Sequence, residues 1–165
     1  MALTHFDSDG RPKMVDVSAK SITRRIAAAA GYLEMCQECA DALANGFGLK
    51  GDPWYLARIS AISGIKQTAH LLPLTHPLSL DTINILDFWD AENMRAWLHV
   101  EVSCESRTGV EMEAIIGVCL GLAGLYDVLK AANHQMTLGP VRLLYKTGGQ
   151  HGTINIPWPG CPWSS

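Results

Sequence analysis

From Pro53 to about Leu71, Tyr55, Ile59, Ile62 and Ile65 or Lys66 recur at helical spacing. Asp52 in front supplies an N-cap, and Pro53 at the first helical position loses no donor the helix would have used, so the segment predicts a helix. An alanine-rich stretch from about Ile22 to Leu43 follows Ser21, a capping residue, and ends in Asn45-Gly46 and Gly48; it predicts another helix. Leu78 to Trp89 and Met94 to Ser106 flank the turn-forming Asp90-Ala91-Glu92-Asn93. In the second of them Trp97, His99 and Glu101 alternate with Leu98, Val100 and Val102, so the pair predicts a hairpin. Val110 to about Ala132 is apolar almost all round and predicts a helix lying centrally against the sheet. Val141 to Tyr145 predicts a last strand, and Met14-Val15-Asp16-Val17 a short edge strand or extended arm. The proline-bearing tail Pro157-Trp158-Pro159-Gly160-Cys161-Pro162-Trp163 excludes helix and central strand.

One face of the Val110 helix carries Ala114, Gly117, Gly121 and Gly124. Each interior glycine costs about 1 kcal/mol relative to alanine, so their spacing predicts a groove that admits a second helix or a neighbouring subunit at close range.

At 165 residues the chain fits one domain with a sizeable core. Hydrophobic residues make up 48% and charged ones 18%, which excludes a disordered chain. A net charge of −3 argues against nucleic-acid partners, so any anion site must be local. The five cysteines form an odd set without disulfide-framework spacing and fit a reducing compartment. The first residues resemble neither a secretory signal nor a transit peptide, and cytoplasmic residence is expected. Ile115 to Leu129 is aliphatic, but Asp127 interrupts it, leaving too few apolar residues for the roughly 20 of a membrane span.

Candidate chemistry is concentrated in a few places. In Lys50-Gly51-Asp52-Pro53 a lysine precedes a helix N-terminus, suiting a phosphate or carboxylate; an ordinary capped helix gives the same four residues. Arg24 and Arg25 fall in the first turn of the expected alanine-rich helix, where the dipole disfavours cations, so they call for a partner or ligand unless they are solvated. Glu111 and Glu113 flank Met112 at the mouth of the third helix, either as dipole-favoured capping acids or as ligand-binding groups. Asp127 and Lys130 share a face three residues apart on an apolar helix. They read either as a structural ion pair at its end or as an acid and base tuned by desolvation. His76 sits on a loop bounded by Pro73 and Pro77 that would aim its imidazole, and Lys146 precedes Thr147-Gly148-Gly149, where it could meet phosphate oxygens or simply end a strand. His70 and His76 lack metal-ligand spacing, and Cys36-x-x-Cys39 falls inside an expected helix without a second cysteine pair, so no metal site is expected. No Ser-His-Asp elbow, Walker loop or Rossmann fingerprint is present.

Taken together, Met14-Val15-Asp16-Val17-Ser18-Ala19-Lys20, Lys50-Gly51-Asp52, Leu72-Pro73-Leu74-Thr75-His76-Pro77-Leu78, Thr108-Gly109-Val110-Glu111-Met112-Glu113-Ala114 and Gly139-Pro140-Val141-Arg142-Leu143-Leu144 closely resemble the cyclic pyranopterin monophosphate synthase family, the C proteins of molybdenum cofactor biosynthesis. The resemblance runs from about residue 3 to residue 150. It implies an α+β, ferredoxin-like subunit with an antiparallel sheet packed against helices, assembled as a hexamer from three dimers with sites shared across the dimer interface. It implies a lyase acting on 3′,8-cyclised dihydro-GTP, with release of pyrophosphate and no required cofactor, Mg²⁺ being an optional companion of the phosphates. By the family's motif Lys50 and Lys130 are the central catalytic cations, with Asp127 as acid-base partner and His76 close by. Glu111, Met112 and Glu113 line the base-recognition side, and Arg25, Lys20 and Lys146 meet the triphosphate.

The chain departs from the family in carrying Thr75 where cysteine is common before the loop histidine, which opens the alternatives of a paralogue acting on a related nucleotide or a non-catalytic nucleotide-binding scaffold. Arg107 stands where lysine is frequent. The organisation expected is one synthase domain over residues 1–150, with residues 151–165 a tail outside the resemblance.

Overall fold

In the computed structural model, which describes residues 5–45, 51–149 and 152–164, the alanine-rich stretch is not one helix. It divides into strand β1 (Thr23–Met35) and helix α1 (Gln37–Asn45). Strand β1 is bonded on both sides, antiparallel to β3 (Arg95–Ser106) from Thr23↔Ser106 to Glu34↔Arg95 and to β4 (Met136–Thr147) from Ile26↔Thr147 to Met35↔Met136. Alanine's preference for helix is worth only a fraction of a kcal/mol per residue, and two complete ladders outweigh it. Small side chains are what a strand covered on both faces needs here. Ala27, Ala29, Leu33 and Met35 point into the core under the helices, while Ala30 joins a second cluster on the opposite face. The dipole argument for Arg24 and Arg25 therefore falls, since both lie on a strand.

The other elements follow expectation more closely. Helix α2 (Pro53–Lys66) starts with Asp52 accepting from the Trp54 amide at 2.9 Å, and a short α3 (Thr68–Leu71) continues it. Strand β2 (Thr82–Asp90) pairs with β3 as the expected hairpin, from Thr82↔Ser103 to Asp90↔Arg95. Helix α4 (Glu111–Leu129) lies across the sheet. By length and composition it could cross a membrane, but its buried side is core: Ala114, Val118, Leu122, Leu125 and Leu129 are fully buried. Its glycine face receives α2 of the same chain. A methyl group on Gly117 would meet Ile65 at 2.6 Å, and one on Gly121 would meet Leu98 at 2.7 Å and Ala61 at 3.1 Å.

The sheet order is β2-β3-β1-β4-β5, antiparallel throughout, with β5 (Ile154–Asn155) a two-residue addition at the edge. Without β5, the βαββαβ order and the 2-3-1-4 arrangement are those of a ferredoxin-like α+β fold. Strand β4 is longer than Val141 to Tyr145 because it absorbs Gly139-Pro140 at an irregularity in its pairing with β1, between Gly31 and Leu33, where the missing proline amide breaks no ladder bond.

Two segments settle near the faces of this frame. Residues Met14 to Val17 form an arm that has no strand partner among the described residues. The tail folds over the sheet face opposite the helices: Trp158 packs edge-on against Trp97 at 5.1 Å, Trp97 meets Tyr32 at 4.7 Å, and Trp163 lies over His99 at 5.3 Å. Arg142 covers Trp158 at 4.8 Å, and Cys161 is buried beside it.

Candidate active site

The proline-bounded loop holds its histidine by two local contacts. Thr75 donates its hydroxyl to the Leu72 carbonyl at 2.8 Å, closing the turn, and His76 Nε2 lies 2.9 Å from the Val15 carbonyl. A carbonyl can only accept, so His76 Nε2 is the ring nitrogen that donates here. This contact also fixes the N-terminal arm, so Val15 and Val17 form one wall of a cleft of about 390 Å³ with Thr75, His76, Met112 and Glu113. Glu113, on the first turn of α4, is only 4% exposed, and burial pushes its carboxyl above the usual carboxylate range, with Glu111 nearby acting in the same direction. Glu111 is less buried.

A second cleft of about 480 Å³ adjoins the first and shares Lys20, Thr108, Gly109 and Glu111 with it. Among the described residues it gathers four cations, Lys20, Arg25, Arg107 and Lys146. They come from different elements that the sheet brings to one end: Arg25 from β1 opposite Cys104, Lys146 from β4 opposite Ala27, and Arg107 from the turn after β3. Arg25 donates to the carbonyls of Ser106 at 3.3 Å and Arg107 at 3.1 Å, and Arg107 donates to the Lys20 carbonyl at 3.0 Å. Gly149, at φ +79°, lies directly against the Arg25 guanidinium, where a Cβ would collide with it. Lys146 Nζ is 2.7 Å from Glu111 Oε1, on the boundary between the two clefts. The composite suits a ligand with a polar heterocycle at one end and several phosphates at the other: carboxylates and an imidazole face ring N–H groups, and a cluster of cations faces the anions.

Arg107 had no assigned site role in the sequence beyond conserving charge. Its adjacency to Thr108-Gly109 was the available signal, because that turn forms the floor shared by both clefts.

Asp127 and Lys130 are paired as their spacing suggested, Nζ to Oδ1 at 2.6 Å. They are not desolvated: the lysine side chain is 48% and the aspartate 72% exposed. The adjoining Asp127 carboxylate holds the Lys130 ammonium above the usual lysine range. The pair sits at the C-terminal end of α4, whereas Glu111 and Glu113 sit at its start. At about 1.5 Å per residue, Glu113 and Lys130 are roughly 25 Å apart along the helix, so one chain does not bring them together. Lys50 lies outside the described residues. Among the described residues no group of three or more His, Cys, Asp or Glu side chains could hold a metal ion.

The model of the MoaC family matches residues 14–149 of this chain. The chain is 43% identical over 154 residues to the cyclic pyranopterin monophosphate synthase of Campylobacter jejuni subsp. jejuni serotype O:2, which covers 92% of this chain and 97% of that relative. To the protein of that name from Helicobacter pylori it is 39% identical over 155 residues, 94% and 98% of the two chains. The family match takes in the arm, the loop histidine, the start of α4 and the Lys146 strand, which together build most of the double cleft, and the chain belongs to the MoaC family.

Proposed function

We propose that this protein is a cyclic pyranopterin monophosphate synthase, a lyase of molybdenum cofactor biosynthesis that converts 3′,8-cyclised dihydro-GTP into cyclic pyranopterin monophosphate and pyrophosphate. The observation that carries this reading is the continuity of the two clefts, a Glu/His end joined to a four-cation end. That is the sequence of chemistries met along a purine-derived triphosphate.

Glu111 and Glu113 accept from, or when protonated donate to, the ring that is opened and rebuilt. Lys20, Arg25, Arg107 and Lys146 neutralise the triphosphate and hold its α-phosphorus within reach of the sugar hydroxyl, lowering the barrier through orientation and charge stabilisation. Lys50 and Lys130 are the catalytic cations by the family's motif, with Asp127 as proton partner and His76 close to the base. The separation of Lys130 from Glu113 along α4 favours a site completed by a second copy, within a hexamer built as three dimers. No resident cofactor is needed for these proton and phosphoryl steps, and Mg²⁺ would arrive with the phosphates. A cytoplasmic setting suits the free thiols.

The test is to incubate the purified protein with 3′,8-cyclised dihydro-GTP and follow pyrophosphate together with the fluorescent oxidation product of the pterin. Stoichiometric appearance of both supports the synthase. Binding without turnover would favour a nucleotide-binding scaffold, and no binding would favour a paralogue with a different nucleotide.

A further inference from the structure

Cys36 and Cys39 stand at the junction of β1 and α1, away from the double cleft. Cys36 occupies the position just before α1, its carbonyl accepting from the Ala40 amide at 3.1 Å, so the two residues are one helical turn apart at a helix start. Their sulfurs are 3.6 Å apart, Cys36 donating to Cys39. Side chains three apart on a helix have Cβ atoms about 5–6 Å from each other, and a disulfide requires sulfurs about 2.05 Å apart, so rotation of the two side chains with a small backbone adjustment is enough to join them. The two thiols differ in access. Cys36 is partly exposed, whereas Cys39 is fully buried and burial pushes its thiol up to about 11.

The buried sulfur has a second neighbour. Cys39 Sγ lies 3.3 Å from the Asn133 carbonyl and 3.9 Å from the Leu129 carbonyl. Leu129 ends α4 and its carbonyl already accepts from the Ala132 amide at 2.9 Å, so the Asn133 carbonyl is the nearer acceptor for the thiol. The Cys39 S–H is therefore a donor that ties α1 to the turn after α4, the turn that begins with Lys130.

We infer that Cys36 and Cys39 form a reversible redox site, oxidised by small disulfides of the glutathione type to an intramolecular disulfide that releases the turn following α4. The Cys36 thiolate attacks one sulfur of the oxidant and expels one thiolate, leaving a mixed disulfide. Cys39, after losing its proton to solvent, attacks Cys36 Sγ and expels the second thiolate. Two protein S–H bonds are lost, one S–S bond forms, and the oxidant is reduced to two thiols. The oxidised Cys39 has no hydrogen to donate, so the Asn133 carbonyl loses its partner.

The native full-length protein is treated with glutathione disulfide, denatured and alkylated, and its hydrogen exchange is measured in parallel. The expected result is that two of the five thiols escape alkylation, that peptide mapping joins Cys36 to Cys39, and that amide exchange over residues 129–136 accelerates several-fold and returns after dithiothreitol. Cys39→Ser should trap glutathione on Cys36, and Cys36→Ser should form neither adduct nor disulfide. Alkylation of all five thiols, a bond between other cysteines, or unchanged exchange over 129–136 in the oxidised protein would overturn the inference. None of these readouts depends on turnover.

Discussion

Lys146 Nζ lies 2.7 Å from Glu111 Oε1, with both side chains about a quarter exposed, and this pair joins the last long strand to the start of α4 at the boundary of the two clefts. A partly buried pair is screened less than a surface one, so it holds the lysine toward the cationic side while limiting what the carboxylate can meet on the other.

Lys146→Ala is expected to raise KM about tenfold, roughly 1.4 kcal/mol of lost phosphate binding, with a smaller change in kcat. Glu111→Gln, which keeps the shape but removes the charge, should lower kcat more than it raises KM. Steady-state pyrophosphate release on both variants separates the two effects; the reverse pattern would exchange the roles assigned to these residues.

The roughly 25 Å between Glu113 and Lys130 along α4 leads to a complementation prediction. Lys130→Ala and Glu111→Gln should each be nearly inactive yet folded, Lys130 being exposed. If a site draws these residues from two chains, unfolding and co-refolding an equal mixture restores one intact site in each mixed dimer, about a quarter of wild-type activity. Activity no higher than that of the parents, with mixed oligomers demonstrated, would mean that each site is built from one chain.

Glu113 should give a pH signature. Burial raises its folded carboxyl pKa above the ordinary 4.5, so the folded state binds the proton more tightly than the unfolded chain. Its favourable contribution is complete below about pH 4.5 and is lost as pH rises through the folded value. Relative to Glu113→Gln, the wild-type urea midpoint should therefore fall as pH increases from 4.5 toward neutrality. Parallel midpoints across that range would show that the side chain is not desolvated in solution.

Trp158 is 7% exposed, packed edge-on against Trp97 and covered by Arg142. Trp158→Ala should cost about 3–5 kcal/mol if the tail is part of the folded core. The thermal midpoint reads this directly, and an unchanged midpoint would show that the tail adds no stability.

Several parts of the molecule were legible along the chain because their determinants are local. Asp52-Pro53 starts α2 through a cap and a fixed φ, the Asp90 to Asn93 turn sets the hairpin, and α4 follows from an apolar run of helical length. The glycine face predicted a close neighbour without naming it, since spacing defines a groove and says nothing about what enters. The Glu111, Glu113, His76, Lys20, Arg25 and Lys146 set was readable from motifs, and the fold gathers all six along adjoining clefts.

The amino-acid sequence by itself determined the family, the ferredoxin-like order of elements that the family implies, the helices with local stop and start signals, and the residue types of the candidate site. Tertiary structure alone decided that Ile22 to Leu43 is a central strand and a short helix, because ladder bonds to β3 and β4, partners about 60 to 120 residues away, outweigh alanine's local preference. It also decided that Asp127 and Lys130 are exposed at the far end of α4 from Glu113, that Arg107 joins the cationic cleft, and that the tail covers its own sheet. Each of these depends on which distant surfaces meet, and that pairing energy is not a property of any single stretch of chain.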